Sequence, residues 1–228
     1  MIPTVLLGQD ETPIGPSGPV AQRPNARFVI KVNAGIPKPI TSNMFRKCFN
    51  GFYDAGISFN LRTIGNVYFG IGYQNIFFKN NAYLKAKYFN ASIPYDTRML
   101  ADCPFVTFSY DRFIKERAYV SYSINYGYII SRYTSVNNDT SAANLPIVSK
   151  EFTAQYIKPE VSFNFIDKEN PWVSFSVSLA YTTLIYKFDP KAPRFNHFED
   201  IQKRSNRYYM SWLTVGFGVN VLLGRSKE

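Results

Sequence analysis

The sequence predicts an all-β fold, in which about eight antiparallel strands close into an up-and-down barrel. Segments of about ten residues alternate large apolar side chains with small or polar ones, and turn-forming residues separate them. The second face of each segment is mostly Ser, Thr, Gly, Ala and Asn, which fit the narrow interior of a closed barrel. A soluble half-buried strand would instead turn Lys and Glu toward water. Short and long connections also alternate along the chain, as they do in barrels of this kind.

The alternation is clearest between Trp172 and Thr182, where Val, Phe, Leu and Tyr share one face and Ser, Ala and Thr share the other. The large apolar face is expected to meet lipid, and the longer segments reach across a bilayer at a tilt. The other predicted strands are Phe28 to Ile36, Gly51 to Arg62, Val67 to Gln74, Val106 to Asp111 with an extension, Ala118 to Tyr128, Ile157 to Phe165 and Leu213 to Val221.

The connections predict the orientation of the barrel. Transmembrane barrels have short turns on the periplasmic side and long loops outside, so an even number of strands places both termini in the periplasm. The short connections are Thr63 to Asn66, Ile114 to Arg117 and Asp167 to Pro171. The long connections are Pro37 to Asn50, Asn80 to Pro104, Ser131 to Glu151 and Phe188 to Arg207.

Aromatic residues favour the same arrangement, because Tyr and Trp concentrate at the two membrane interfaces. The alternative is that they form the core of a soluble β-protein. The residues expected at the outer rim are Phe77, Phe78, Tyr126, Tyr128, Tyr181, Tyr208, Tyr209 and Trp212, and those at the inner rim are Phe113, Phe163, Phe165 and Trp172.

The 228 residues suit one β-domain, predicted over residues 27–224, with a short tail at 225–228. Residues 1–26 are rich in Pro and Gly and form a predicted periplasmic tail, which we expect to become ordered by docking on a protein partner. The start of the tail lacks the basic and long apolar regions of an export signal, so we expect such a signal to precede the numbering.

The net charge of +10 does not indicate nucleic-acid binding, because the basic residues form no helical stripe or known nucleic-acid motif. Many lie in the long loops, where they could contact the phosphorylated headgroups of a lipopolysaccharide leaflet. Scattered solvated charge is the alternative. The residues proposed to contact glycolipid are Lys47, Lys85, Lys87, Arg194, Lys203 and Arg204.

Charged residues at inward positions predict a paired network inside the barrel, since buried ions of mixed sign tend to pair. A proton or ion path is the alternative interpretation. Cys48 and Cys103 fall in the first two long loops, where a disulfide could join them in an oxidising compartment; two free thiols are the other interpretation. The predicted lumen charges are Lys31, Asp54, Arg62, Asp111, Lys158 and Glu160.

The sequence contains few residues in arrangements that are typical of catalytic sites. The single histidine, His197, lies beside Glu199 and Asp200 in the last long loop, and sequence neighbours of this kind do not form a triad. No metal-ligand spacing, phosphate-binding loop or nucleotide motif is present. We therefore expect neither enzymatic activity nor a cofactor.

The strand alternation, the asymmetry of the loops and the final strand from Trp212 to Leu222 resemble the small eight-stranded outer-membrane barrels, which include the OmpA transmembrane domain and the OmpX type. The resemblance covers about Phe28 to Leu223. It implies an integral outer-membrane protein of a Gram-negative cell. The richness in Asn, Lys, Tyr and Phe is similar to Bacteroidota barrels, some of which are subunits of secretion, gliding or uptake machines. The chain differs from the group in ending without a terminal aromatic residue.

The first functional hypothesis is therefore a non-enzymatic barrel that anchors or accompanies a larger outer-membrane complex, with the tail, the periplasmic turns or the barrel wall as its contacts. An independent surface barrel, whose basic loops bind glycolipid or a cell surface, is the main alternative. A lipid A-modifying enzyme using His197 and a soluble lipocalin-type ligand binder are two weaker hypotheses.

Overall fold

The computed structural model describes residues 26–41, 43–80, 85–88, 91–137, 148–187 and 209–224. Within these ranges there are nine strands and one six-residue helix, α1 (Asn43–Cys48). The strands are β1 (Phe28–Thr41), β2 (Phe49–Arg62), β3 (Val67–Asn80), β4 (Lys85–Tyr88), β5 (Ala91–Lys115), β6 (Ala118–Asn137), β7 (Val148–Ile166), β8 (Val173–Lys187) and β9 (Tyr209–Leu223).

Eight of these strands close into a barrel, which confirms the predicted fold. Each pairs antiparallel with its neighbours in the order β3, β2, β1, β9, β8, β7, β6 and β5, and pairing of β3 with β5 completes the ring. The pairing of β1 with β9 joins the two ends of the chain. The short β4 pairs with β5 outside this ring.

The wall of the barrel is apolar where the alternation predicts it. Phe175 and Leu179 on β8 are 53% and 50% exposed, while Ser174 on the same strand is fully buried. The stretch of β3 from Val67 to Lys79 covers about 40 Å, or about 28 Å along the barrel axis at a tilt of about 45°. This height matches the apolar band of a transmembrane barrel.

The two ends of the barrel differ in their connections. At one end, the turn end, residues 63–66, 116–117 and 167–172 join neighbouring strands, as predicted. Gly65 has a φ of 59°, a left-handed conformation that glycine adopts without steric cost. The other end, the loop end, carries α1 and the long connections.

Three strands extend well past the others at the loop end. β5, β6 and β7 have 25, 20 and 19 residues, whereas β1, β2 and β3 have 14 each. The connections after β3 and after β6 are therefore shorter than the sequence suggested, because parts of them continue the strands. We call the projecting part, made by β4, residues 91–97, 133–137 and 148–152, the raised sheet.

No helix in the described part of the chain is long and apolar enough to cross a membrane. The short helix α1 lies between β1 and β2, and Phe45 on it is fully buried. Since Cys48 and Phe49 at its end are also buried, the helix closes over the interior at the loop end.

Candidate functional site

An ion pair crosses the middle of the lumen. Lys158 on β7 lies 3.8 Å from Asp54 on β2, measured between Nζ and Oδ2. These strands stand four places apart in a ring of eight, on opposite sides of the barrel. Lys158 Nζ is also 3.6 Å from Glu160 Oε2, so one cation faces two carboxylates. The side chains of Asp54 and Lys158 are 2% and 3% exposed, and this burial strengthens their attraction.

Asp54 is held by two further strands. Its Oδ1 accepts a hydrogen bond from Gln74 Nε2 on β3, and its Oδ2 accepts one from Thr214 Oγ1 on β9 at 2.9 Å. The carboxylate therefore links four strands of the ring. Buried charges of this kind are tolerated because each is paired and hydrogen-bonded.

A second polar network lies nearer the turn end. Asn220 on β9 donates to Asn164 Oδ1 on β7 at 2.8 Å and to Ser174 Oγ on β8 at 3.1 Å. Asn164 in turn donates to Ser121 Oγ at 3.2 Å, and Ser121 donates to Asp111 Oδ1 on β5 at 2.5 Å. This chain of amides, hydroxyls and one carboxylate spans five adjacent strands without a gap.

The six predicted lumen charges thus occupy different places. Asp54, Lys158 and Glu160 form the central ion cluster. Asp111 belongs to the second network, and the charge of Lys31 acts on it from β1. Arg62 lies at the turn end, where its Nε donates to the carbonyl of Gly65 in the β2–β3 turn.

The two ends of the lumen are apolar. At the turn end, Ala26, Val29, Tyr68, Tyr119, Ile166 and Leu222 form a buried cluster. The Tyr68 hydroxyl donates to the Ala26 carbonyl at 3.3 Å, so the last residue of the predicted tail is packed into the barrel. The remaining tail, residues 1–25, lies outside the described residues.

An aromatic plug fills the lumen at the loop end. Its centre is formed by Phe45, Phe78 and Trp212, whose ring centroids lie 5.2 to 6.3 Å apart. All three are fully buried. The buried residues of the plug are Phe45, Cys48, Phe49, Ile76, Phe78, Met99, Ala101, Cys103, Ile129, Tyr133, Ala154, Tyr156, Leu184, Met210 and Trp212.

The plug overturns part of the predicted aromatic rims. Phe78 and Trp212 point into the lumen instead of toward the membrane interface. Phe113, expected at the inner rim, packs against the turn-end cluster and lies 5.2 Å from the ring of Tyr119. The other described aromatic residues of the two rims are on the wall, and Tyr208 lies outside the described residues. The sequence did contain a signal for the inward positions. Phe78 lies on the same strand face as the lumen residue Gln74, and Trp212 lies on the same strand face as the lumen residue Thr214.

The two cysteines are free thiols. Cys48 ends α1 in the connection between β1 and β2, where it is buried in the barrel mouth, and Cys103 lies on the inward face of β5. The structure shows no disulfide between these two residues. Burial raises the pKa of Cys48 to about 12, so this side chain is a protonated thiol at neutral pH.

The space left inside the lumen is small. The cavity beside Lys31, Lys158 and Glu160 has a volume of about 30 Å³, room for one or two water molecules. Both of its ends are covered by apolar clusters. The described interior thus offers no continuous path for ions or solutes.

Basic residues encircle the wall at the loop end. They project outward just beyond the apolar band, and Glu151, paired with Arg132 at 2.8 Å, is the acidic residue among them in the described part. We call the five basic residues the basic ring: Lys38, Lys79, Arg98, Arg132 and Lys187.

The residues predicted to contact glycolipid are only partly described. Lys47 is exposed on α1. Lys85 and Lys87 lie on β4, and Arg194, Lys203 and Arg204 fall outside the described residues. Arg132 and Lys187 of the basic ring were not among the residues predicted, because the sequence does not show the strand register that brings the ring to the same end of the wall. His197 also lies outside the described part. Within that part, no group of three His, Cys, Asp or Glu residues is placed to hold a metal ion.

Solved structures match this chain in fold. A major outer membrane protein from Thermus thermophilus aligns with a TM-score of 0.54 at 10% identity, over 86% of this chain and 99% of the other. The fold is that of a small outer-membrane barrel. Neisserial surface protein A aligns with a TM-score of 0.49 at 14% identity, over 87% of this chain and 98% of its own. OprG from Pseudomonas aeruginosa aligns with a TM-score of 0.45 at 9% identity, over 90% of this chain and 100% of its own.

No family model and no curated protein sequence matches the chain. The likeness to the solved structures concerns the barrel alone.

Proposed function

We propose that the protein is a non-conducting, non-enzymatic outer-membrane barrel that anchors or accompanies a larger protein assembly. The filled lumen carries this proposal. Because an ion cluster, a hydrogen-bonded network and two apolar clusters occupy the interior, the surfaces left for function are the wall, the two ends and the tail. These are surfaces that contact proteins or lipids.

The raised sheet supports a protein contact at the loop end. Its strands project beyond the basic ring on one side of the barrel, and β4 pairs on one side with β5 in the described residues. An edge strand of this kind offers backbone hydrogen-bonding groups to a partner strand. The Pro- and Gly-rich tail, residues 1–26, is the second proposed contact.

The basic ring supports the orientation of the barrel. An anionic lipopolysaccharide leaflet attracts Lys and Arg at the headgroup level. We therefore infer that the loop end faces the exterior and that both termini are periplasmic. The same ring favours the alternative function, an independent surface barrel that contacts glycolipid through its basic face.

The test is extraction of the protein from outer membranes in mild detergent, followed by native gels and mass spectrometry of what accompanies it. We expect a particle larger than one barrel. One variant should lack residues 1–24, and another should replace residues 85–96 with a Gly-Ser turn; loss of the partner in either identifies the contact. Recovery of the barrel alone would reject the accessory role in favour of the independent one.

Conductance provides a separate check on the filled lumen. Purified protein in planar bilayers is expected to give no steady channel current, whereas an open porin measured alongside gives one. A steady ohmic current from the intact protein would contradict the proposal, because the central ion cluster and the plug would then have to separate in the native state.

A further inference from the structure

We propose that the wall formed by β2, β3 and β5 is a binding site for one phosphorylated glycolipid. The site has four levels along the membrane normal, and each presents the chemistry that the corresponding part of such a lipid requires. The inference goes beyond the proposed accessory role and does not depend on it.

The first level is a line of hydrogen bonds on the outside of the barrel. Tyr53 donates to Asn75 Oδ1 at 2.8 Å, and Asn75 Nδ2 donates to Asp102 Oδ1 at 2.8 Å. The Tyr73 hydroxyl also donates to Asp102 Oδ1. These four side chains form a polar line on an otherwise apolar wall, and a carboxylate has acceptor capacity for a further hydrogen bond from a ligand beside those from Tyr73 and Asn75.

Below this line, the wall is apolar. Ile71 is 60% exposed on β3, and Phe69 packs against Phe108 of β5 with ring centroids 5.0 Å apart. Because these residues lie toward the turn end, they are at the depth of the acyl chains. This level suits the hydrocarbon part of a lipid.

Above the line, a β-bulge creates an aromatic platform. The register between β2 and β3 shifts at Gly51 and Tyr53, so Phe52 is an extra residue. A bulge redirects side chains, and here both Phe52 and Tyr53 face outward, with Phe52 66% exposed. Tyr53 stacks on Phe77 at 5.7 Å, and Phe52 meets Phe77 edge-on at 5.8 Å.

The packing around Gly51 requires a glycine at this bulge. A Cβ at Gly51 would overlap the carbonyl oxygen of Pro37 on β1, so a larger residue would push the strands apart. The aromatic platform therefore depends on the close approach of the β1 and β2 backbones at Gly51. Exposed aromatic faces beside a hydrogen-bonding carboxylate suit a sugar ring, whose C–H groups stack while its hydroxyls donate to Asp102.

The fourth level is cationic. Lys79 and Arg98 are opposite each other in the β3–β5 register and belong to the basic ring. They are four residues beyond Asn75 and Asp102, or about 13 Å along the strands. Phosphate groups attached to the sugar would meet these cations. The order of acyl wall, hydroxyl acceptor, aromatic platform and cations is the order of parts in a phosphorylated glycolipid. A phospholipid has no sugar ring to stack on the aromatic platform.

The test is titration of the purified barrel in detergent micelles with diphosphorylated lipid A, with bound lipid counted by native mass spectrometry. Lys79→Ala/Arg98→Ala should weaken binding about 30-fold, since each cation near an anionic headgroup contributes about fivefold. Phe52→Ala/Asp102→Ala should weaken it about tenfold. The control is Lys187→Ala, which removes a member of the basic ring on β8, four places from β3 in the ring of strands, and should leave binding within about twofold, whereas Lys79→Ala alone should weaken it about fivefold.

Phosphatidylglycerol is the second ligand, because it has a phosphate and no sugar. We expect it to bind more weakly than lipid A and to be unaffected by Phe52→Ala/Asp102→Ala. Equal affinity for the two lipids, or an equal loss in the control variant, would overturn the site in favour of general attraction to anionic lipid. Release of a co-purified protein by Phe52→Ala/Asp102→Ala, without loss of lipid A binding, would overturn it in favour of a protein interface. Each variant is first checked for the gel mobility of the folded barrel.

Discussion

The middle of the lumen and its loop end are lined by the same alternate positions of the same strands, yet different chemistry fills them. On β3, Gln74 bonds to the Asp54 carboxylate, while Phe78, four residues further on, packs in the aromatic plug. On β9, Thr214 and Trp212 show the same change over two residues. Period-two alternation therefore determines which side chains enter the lumen, and the available space and neighbours determine whether they are polar.

The two regions also differ in how they stabilise the barrel. The ion cluster links opposite strands through a few directional contacts, each of which leaves a buried charge unpaired if it is lost. The plug instead relies on close packing around α1, which distributes its stabilisation over many contacts. Substitutions should separate these two mechanisms.

The largest effect is expected from Lys158→Met. The substitution leaves Asp54 and Glu160 without their shared cation, and breaking a buried pair costs about 3–5 kcal/mol. Urea unfolding in micelles, followed by tryptophan fluorescence, measures the change. Adding Asp54→Asn should restore about half of the loss, because Gln74 and Thr214 keep a neutral partner. A loss below about 1 kcal/mol in Lys158→Met would show that the pair contributes little.

Phe78→Ala and Phe77→Ala form a matched pair in the plug and on the wall. Phe78 is fully buried, so its removal leaves a cavity and should cost about 3–5 kcal/mol. Phe77 lies on the outer surface, where its removal leaves no enclosed cavity, so the expected cost is about 0.5–1.5 kcal/mol from lost stacking on Tyr53. Equal losses in the same unfolding experiment would show that the lumen at this level is not closely packed.

The smallest effect concerns the cysteines. Both are buried free thiols, and the pKa of Cys48 is raised to about 12, so no thiolate accumulates between pH 7 and pH 9. We expect maleimide to modify neither residue in the folded barrel over this range, while both react in denaturant. Lys47→Cys, at an exposed position, should react rapidly and faster as the pH rises. Rapid labelling of native Cys48 would show that α1 leaves the barrel mouth.

Adding a reductant provides a second test of whether the two cysteines are free thiols. Because the thiols are not bonded, its addition should leave the unfolding midpoint unchanged. A lower midpoint in the presence of reductant would instead indicate that a disulfide forms in the native protein.

Much of the fold could be predicted because the alternation is local. The Ser-lined face of Trp172 to Thr182 and the inward Asp54, Ser58 and Asn60 are in the lumen as expected. The predicted strand of β3 stopped at Gln74, however, and Phe78 was assigned to the outer rim by its residue type. Ile76 and Phe78 lie an even number of residues after Gln74, so a continued strand would turn them into the lumen. Nothing in the local pattern favoured continuing the strand.

The sequence by itself determined the strands, the faces that meet lipid and the lumen, and the alternation of short and long connections, because each depends on period two and on local turn chemistry. Only the tertiary structure decided that Asp54 meets Lys158 across the barrel, that α1 packs into the barrel mouth and that Phe52 joins Phe77 and Asp102 on one wall. These contacts join residues far apart in the chain, and ring closure, register and one bulge determine them.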